Sequence, residues 1–320
     1  MATYGGIDLG GTKVQAIVMR GDDHSALGQA RRLTPHKGGP AAVVDALVTC
    51  MSEAAVAAGV HVESLDGVGV GAPGEVNAKL GTLANATNLS EWERPFPLAE
   101  TLSERFGGMQ VKLGNDVSVA TSAELELGAG KGAHSVLGVF WGTGVGGGVA
   151  FDGELWHGRG DAGEIGHMVV KQGGARCPCG RRGCMEAYAG RRAMELKAKR
   201  LVEKGHHTDL FKIMRERGRE TLSSGVWAHA LADGDKLAHR LIERAVQALG
   251  SGVASAVNLL DVELVLLGGG LGTRFGEPML ERLTAAMKPH LYNDERPPVL
   301  RLAALGDLGG ALGAALLCTE

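Results

Sequence analysis

The stretch Gly5-Gly-Ile-Asp-Leu-Gly-Gly-Thr-Lys-Val-Gln-Ala-Ile-Val-Met19 decides the fold. Gly6 to Leu9 is strand-like, Gly10-Gly11 is a turn, and Val14, Ala16 and Val18 then alternate with other side chains. After the polar turn Gly21-Asp22-Asp23, a third stretch from Ser25 to Leu33 completes a meander. A helix is expected from Pro40 to about Gly59, because Val43, Val44, Leu47, Val48 and Met51 fall on one face. Leu65 to Val70 reads as a short buried strand that ends in Gly71-Ala72-Pro73-Gly74.

The same plan returns downstream. Ser135 to Trp141 is a strand, Gly142-Thr-Gly-Val-Gly-Gly-Gly148 a glycine turn, and Val149 to Phe151 a second strand. Lys236 to Leu260 predicts a long amphipathic helix, followed by the apolar strand Val262 to Leu267 and by Gly268-Gly-Gly270. Leu308 to Leu317 is rich in Gly and Ala and helical in pattern. Two copies of one supersecondary plan predict an α/β protein of two duplicated domains around a cleft.

Composition narrows the field. Gly is 51 of 320 residues, about twice the usual share, and recurs at the ends of apolar runs. A net charge of −3 gives no overall attraction to nucleic acid or to an anionic membrane. Charges such as Asp261, Glu263 and Asp307 interrupt the longest apolar stretches, so no membrane span is expected. The first residues resemble neither a signal nor a transit peptide, and a cytoplasmic protein is the expectation.

The first turn, Asp8-Leu-Gly-Gly-Thr-Lys13, has bare backbone N–H groups that could crowd around phosphate oxygens. It is not a Walker loop, because Thr12 precedes Lys13 and a strand follows, nor a dinucleotide fingerprint, because no helix opens there. Alone it fits a plain hairpin as well as a phosphate site. A second turn, Gly142-Thr143-Gly144, at the equivalent place of the repeat points to a triphosphate held by both. Asp8 either caps its turn or orients a hydrated Mg²⁺ carried by the nucleotide.

His167, Cys177, Cys179 and Cys184 form a Cys₃His set typical of structural Zn²⁺. Five cysteines, three of them in eight residues, argue against a disulfide framework. In Glu164-Ile-Gly-His167 the two polar side chains lie three apart, on one face of a helical turn. A metal-bound imidazole keeps its other ring N–H for an outward partner, so His167 can be anchored and still point a donor at a ligand.

Together these segments resemble the ROK family of bacterial sugar kinases, within the actin/hexokinase/Hsp70-like ATPase superfamily, and its glucokinases most. The residues carrying the resemblance are Asp8 to Lys13, Gly71-Ala-Pro-Gly74, Asn115-Asp116, Gly142 to Gly148, Gly163-Glu-Ile-Gly-His167, Cys177-Pro-Cys-Gly-Arg-Arg-Gly-Cys184 with Glu186, and Gly268 to Gly270. The resemblance implies transfer of a phosphoryl group from ATP, with Mg²⁺, to the 6-hydroxyl of an aldohexose, with Asp116 as catalytic base. It implies sugar contacts from Asn88, Asn115, Asp116, Glu164, His167 and Glu186. Nucleotide contacts would come from Asp8, Gly10, Gly11, Thr12, Lys13, Thr143, Gly144, Gly269 and Gly270. The metal set His167, Cys177, Cys179 and Cys184 would hold structural zinc.

A smaller N-terminal domain, 1–114, with the helix of about 305–320 packed back on it, and a larger one, 115–304, are expected. The resemblance also implies a homodimer or homotetramer. Where the family often has an acidic residue, an Asn and a Ser, this chain has Gly114, Ser118 and Gly190. Glucose is the expected substrate. N-acetylglucosamine, N-acetylmannosamine, mannose and fructose are alternatives, and polyphosphate is an alternative donor. Transcription regulators of the family carry an added N-terminal winged helix-turn-helix, for which Met1-Ala-Thr-Tyr4 leaves no room. The cationic stretch from Arg191 to Ser224 (Lys197, Lys199, Arg200, Arg215, Arg217, Arg219) reads as a solvated face or as an attractor of ATP or polyphosphate.

Overall fold

The computed structural model describes residues 2–86 and 89–319. In chain order the strands and helices open with β1 (Thr3–Leu9), β2 (Lys13–Arg20), β3 (Ala26–Leu33), α1 (Gly39–Ala57), β4 (Gly67–Ala72) and the small hairpin β5 (Glu75–Asn77) and β6 (Thr82–Ala84). They continue with α2 (Leu98–Arg105), β7 (Val111–Asn115), α3 (Asp116–Leu127), β8 (Ser135–Trp141), β9 (Val145–Phe151) and β10 (Glu154–Leu155). Then come α4 (Glu186–Ala189), α5 (Arg191–Val202), α6 (Leu210–Glu216), α7 (Ser224–Ala232) and α8 (Lys236–Leu260). The chain closes with β11 (Leu264–Gly268), α9 (Gly269–Phe275), α10 (Glu277–Met287), β12 (Val299–Leu302) and α11 (Gly309–Leu316).

Two compact units result. The first holds the chain up to Gly132, His157–Gly160 and everything from Ala304 on; the second holds Ala133–Trp156 and Asp161–Ala303. The division falls at 132/133 rather than the expected 114/115. The reason is that β7 pairs with β4, and α3 packs on α11, so both belong to the first sheet's surroundings.

Each unit is built on a five-stranded sheet of the same topology. In the first the order is β3-β2-β1-β4-β7, in the second β10-β9-β8-β11-β12. Counted within each sheet, both read third, second, first, fourth, fifth. The first, fourth and fifth strands run parallel and the meander strands antiparallel. The duplication expected from the sequence is therefore present as topology.

In the first unit, α1 covers one face of the sheet with Val43, Leu47 and Met51 in a core that includes Val14, Val68 and Val70. By length and mean hydropathy (1.4) α1 passes as a membrane span, where the sequence reading expects none. Its apolar face is buried in this core, with Leu47, Cys50 and Met51 fully so. On α11 the backbone itself is the packing surface. A Cβ on Gly6 would lie 2.0 Å from the Ala311 carbonyl oxygen, and one on Gly69 1.7 Å from that of Ala314. A helix of Gly and Ala against strands with glycine at the contact is the only side-chain solution to that approach.

Glu124 of α3 is 2% exposed, yet its carboxylate is satisfied. It accepts hydrogen bonds from the backbone N–H of Ala129 (2.9 Å), Ala304 (3.0 Å) and Leu305 (2.8 Å). It thus ties the segment where the chain leaves the first unit to the segment where it returns.

In the second unit the glycine run differs from expectation. Only Gly142-Thr143-Gly144 forms the turn, and Gly146 to Gly148 lie inside β9, paired with Phe140, Val139 and Gly138. Their bareness serves packing: a Cβ on Gly147 would meet Ile165, the Gly138 oxygen and the Gly163 oxygen within 2.8 Å. Gly269 and Gly270, which follow the strand β11, open α9.

Candidate active site

Parallel pairing sets the first group of residues. Asp8 pairs with Gly71, Gly71 with Gly114, and Ala72 with Asn115, so Asp8 and Asn115 lie at the carboxyl ends of β1 and β7, on either side of the parallel strand β4, and Asp116 follows at the start of α3. That end of an open α/β sheet is where ligands bind. Asn115 is the N-cap of α3: its Oδ1 accepts from the N–H groups of Val117 and Ser118, both at 3.1 Å. Only its amide N–H₂ then remains to face a ligand. Asp116 Oδ1 accepts from Val117 N–H at 2.9 Å. The departure at Gly114 has a packing cause, since a Cβ there would lie 2.5 Å from Val119 and 3.2 Å from Leu317. Asn88 lies outside the described residues.

The first turn holds its carbonyls from behind. Gly10 N–H donates to the Lys13 oxygen (2.9 Å), the Thr34 hydroxyl to the Gly10 oxygen (2.6 Å), and Thr34 N–H to the Thr12 oxygen (3.1 Å). Occupied carbonyls matter because an unoccupied one would repel an anion at Gly10, Gly11 or Thr12. Beside the turn, desolvation pushes the Asp8 carboxyl up to about 6, against the pull of the Lys13 cation and with the push of Asp307. Lys13 itself reaches Asp307 at 3.2 Å, and Arg31 reaches the same oxygen at 3.5 Å. The start of α11 presses on Asp8 so closely that Gly310 must be bare, its Cβ position being 2.8 Å from Asp8 Cγ.

The second group is gathered in the other unit. Gly268 pairs with Phe140, and a Cβ on Gly142 would be 3.8 Å from the Gly270 nitrogen, so the Gly142 turn and the start of α9 adjoin at the ends of β8 and β11. Gly142 N–H donates to the Gly144 oxygen at 3.0 Å. The first two N–H groups of α5, from Arg191 and Arg192, donate to the Gly142 and Thr143 oxygens, both at 3.1 Å. This turn too has its carbonyls taken from outside the hairpin.

His167, Cys177, Cys179 and Cys184 bring one ligand atom each within 4.8 Å of all the others. Cys177 Sγ is 3.8 Å from His167 Nδ1, and Cys179 Sγ is 3.7 Å from Cys184 Sγ. A tetrahedron with bonds of about 2.3 Å to sulfur and 2.0–2.1 Å to nitrogen has edges of roughly 3.5–3.8 Å, so the set is compatible with zinc. The loop is shaped by Cys177 N–H donating to the Arg181 oxygen (2.9 Å) and Gly180 N–H to the Cys177 oxygen (3.0 Å). Gly180 has the positive φ, 86°, that such a reversal requires.

With Nδ1 on the thiol side, the other ring nitrogen, Nε2, is 3.7 Å from Glu164 Oε2. Burial raises the Glu164 carboxyl above its ordinary range, opposed by His167 and reinforced by Asp161 and Glu186. Glu186, at the start of α4, accepts from Val145 N–H at 3.0 Å, and its Oε1 is 3.8 Å from Cys177 Sγ. Gly144 is bare for this reason: a Cβ on it would come 2.2 Å from Glu186 Oε2. Glu164, His167 and Glu186 are thus brought together on one side of the cysteine cluster. Two residues tied to the turns, Thr34 and Arg191, escaped the sequence reading, because nothing adjacent to them in sequence marks their role.

Two sheets of like order, each ending in a glycine hairpin backed by outside donors, place the protein in the actin/hexokinase-like ATPase fold class. A family model described as ROK family matches residues 4–320, and the chain belongs to that family. It is 31% identical to the glucokinase of Thermotoga maritima, over 98% of this chain and 96% of that one. It is 32% identical to an N-acetylgalactosamine kinase of Shewanella sp. (strain ANA-3), over 98% and 96%. Its fold matches a ROK family glucokinase of Streptomyces griseus, solved with glucose and AMPPNP, at a TM-score of 0.83 and 30% identity over 99% of each chain.

Proposed function

We propose that the protein is a ROK-family sugar kinase that phosphorylates glucose at the 6-hydroxyl, with ATP as donor, in the cytoplasm. The observation that carries this reading is the set Glu164, His167 and Glu186 assembled around the cysteine cluster, in a chain similar over its whole length to a glucokinase. Carboxylates and an imidazole accept from and donate to adjacent hydroxyls, and a sugar lacking a matching hydroxyl leaves buried groups unpaired. Asn115 adds its amide N–H₂, and Asn88 is assigned the same role.

Asp116 takes the proton of the 6-hydroxyl. In-line transfer from ATP needs positioning and charge neutralisation more than covalent chemistry, and a positioned carboxylate contributes about 10²–10⁴-fold. The backbone of Gly10 to Lys13 and of Thr143-Gly144 binds the phosphates, and Gly269-Gly270 lies against the adenosine. Mg²⁺ carried by the nucleotide neutralises phosphate charge, and Asp8 is the carboxylate that orients its water. His167, Cys177, Cys179 and Cys184 would hold zinc, which fixes the loop bearing Glu164 and Glu186. A second reading, an N-acetylhexosamine as acceptor, is supported by the 32% identity to the Shewanella kinase.

The test is ADP or phosphate-consumption kinetics over a panel of hexoses and N-acetylhexosamines, with ATP and polyphosphate compared as donors. Glucose with ATP is expected to give the highest kcat/KM. Asp116→Asn is expected to lower kcat by about 10²–10⁴ with sugar affinity kept within roughly tenfold. A preference for an N-acetylhexosamine would install the second reading, and no turnover with any monosaccharide would overturn both.

A further inference from the structure

The turn Gly142-Thr143-Gly144 is held by a cation that no motif marks. Arg191, the first residue of α5, donates from Nη2 to the Thr143 hydroxyl oxygen at 2.7 Å, while its backbone N–H holds the Gly142 oxygen at 3.1 Å. Its other terminal nitrogen, Nη1, points to the Leu222 oxygen at 3.5 Å. Glu195, one turn further on, is only 8% exposed and already engaged: it accepts from Leu222 N–H at 3.0 Å and pairs with Lys199 at 2.7 Å. Among the described residues Arg191 makes no ion pair within 4.0 Å, and the carboxylate that acts on its charge from further off is that of Glu195, already shared with Lys199. Its side chain is half-buried, whereas Thr143 is exposed.

The chemistry of a hydroxyl completes the argument. Guanidinium is donor-only, so in this bond Thr143 Oγ1 acts as acceptor and its own proton is directed elsewhere. An exposed hydroxyl with its acceptor side fixed from behind is a preset donor. We infer that Arg191 is a positioning residue for the phosphoryl donor: it orients the Thr143 O–H towards a phosphate oxygen and sets a positive charge one hydrogen bond behind it. This rests on the nucleotide reading given above. The route into α5 is built for the same contact, because a Cβ on Gly190 would lie 2.9 Å from the Glu186 oxygen and 3.3 Å from the Thr143 oxygen. The family's frequent Ser at this place would crowd the turn that Arg191 supports.

The experiment measures binding of AMPPNP, adenosine and glucose by calorimetry, and kcat and KM for ATP, in Arg191→Gln, Arg191→Lys, Thr143→Val and the double variant R191Q/T143V. Arg191→Gln is expected to weaken AMPPNP by about ten- to a hundredfold, the span of a charge-assisted hydrogen bond, with adenosine and glucose within twofold of wild type. Arg191→Lys, which keeps the charge without the planar fork, is expected to show a smaller loss confined to AMPPNP. The double variant is expected to bind no worse than Thr143→Val by more than twofold, because Arg191 acts through that hydroxyl. Retention of AMPPNP affinity within twofold in Arg191→Gln would overturn the inference. So would equal losses for all three ligands in either Arg191 variant, which mark a purely structural role. Wild-type protein that binds no AMPPNP would instead remove the nucleotide reading on which the inference stands.

Discussion

At Asp8 stability and the role proposed for its carboxylate oppose each other. Desolvation lifts its carboxyl from the ordinary 3.8 to about 6. A folded-state value above the unfolded one means stabilisation that is complete below about pH 4 and lost as pH rises through 6. At pH 8 the ionised, part-buried carboxylate therefore costs the ligand-free fold up to about 3 kcal/mol. Asp8→Asn is expected to raise Tm at pH 8 and to raise it much less at pH 4, while turnover falls at least about a hundredfold. Thermal unfolding at the two pH values checks this, and an equal change in Tm at both would refute the assignment. Asp116 and the three cysteines are marked by their immediate neighbours in sequence, whereas Thr34 meets Gly10 across 24 residues and Arg191 meets Thr143 across 48. Their roles depend on contacts that local pattern does not encode.

At the scale of elements, periodicity and glycine gave unequal guidance. Ser135–Trp141 and Lys236–Leu260 stand where the alternating and helical patterns put them. Gly146 to Gly148 were misplaced in the turn because glycine permits two things, a reversed backbone and a close approach, and only packing against Ile165 and Gly163 decides between them. The sugar contacts proposed for Glu164, His167 and Glu186 rest on the cysteine loop. Its shape rests on a few turn hydrogen bonds, the short bridges Val169 to Cys184 and Arg176 to Arg182, and the four side chains themselves. Cys179→Ser, or prolonged chelation, is expected to speed amide hydrogen exchange across 164–186 and to raise the sugar KM at least about tenfold. Mass spectrometry of exchange together with metal analysis tests it. Active protein free of zinc, with that segment still protected, would count decisively against a zinc-held loop.

For the whole molecule, the duplicated topology was legible because each sheet repeats the same strand, turn and helix signals. The boundary between units was not, since it is fixed by α3 and α11 packing together and by Glu124 reaching Ala304 across 180 residues. Glu124→Ala removes three hydrogen bonds between backbone N–H groups and a carboxylate that is 2% exposed, and is expected to lower unfolding free energy by about 1.5–3 kcal/mol, with Glu124→Gln costing less. Denaturant titration measures both, and a loss below about 1 kcal/mol for the alanine variant would show that water replaces the carboxylate. The bare backbone contact of α11 on Gly6 and Gly69 also bears on how the protein is made. β1 is roofed by a helix that is made only after the whole second unit, which has all its parts once Ala303 has emerged. Synthesis from the N-terminus usually lets the leading domain fold first. Here the first sheet lacks its α11 cover until residues 309–316 have been made, which is after the last residue of the second unit.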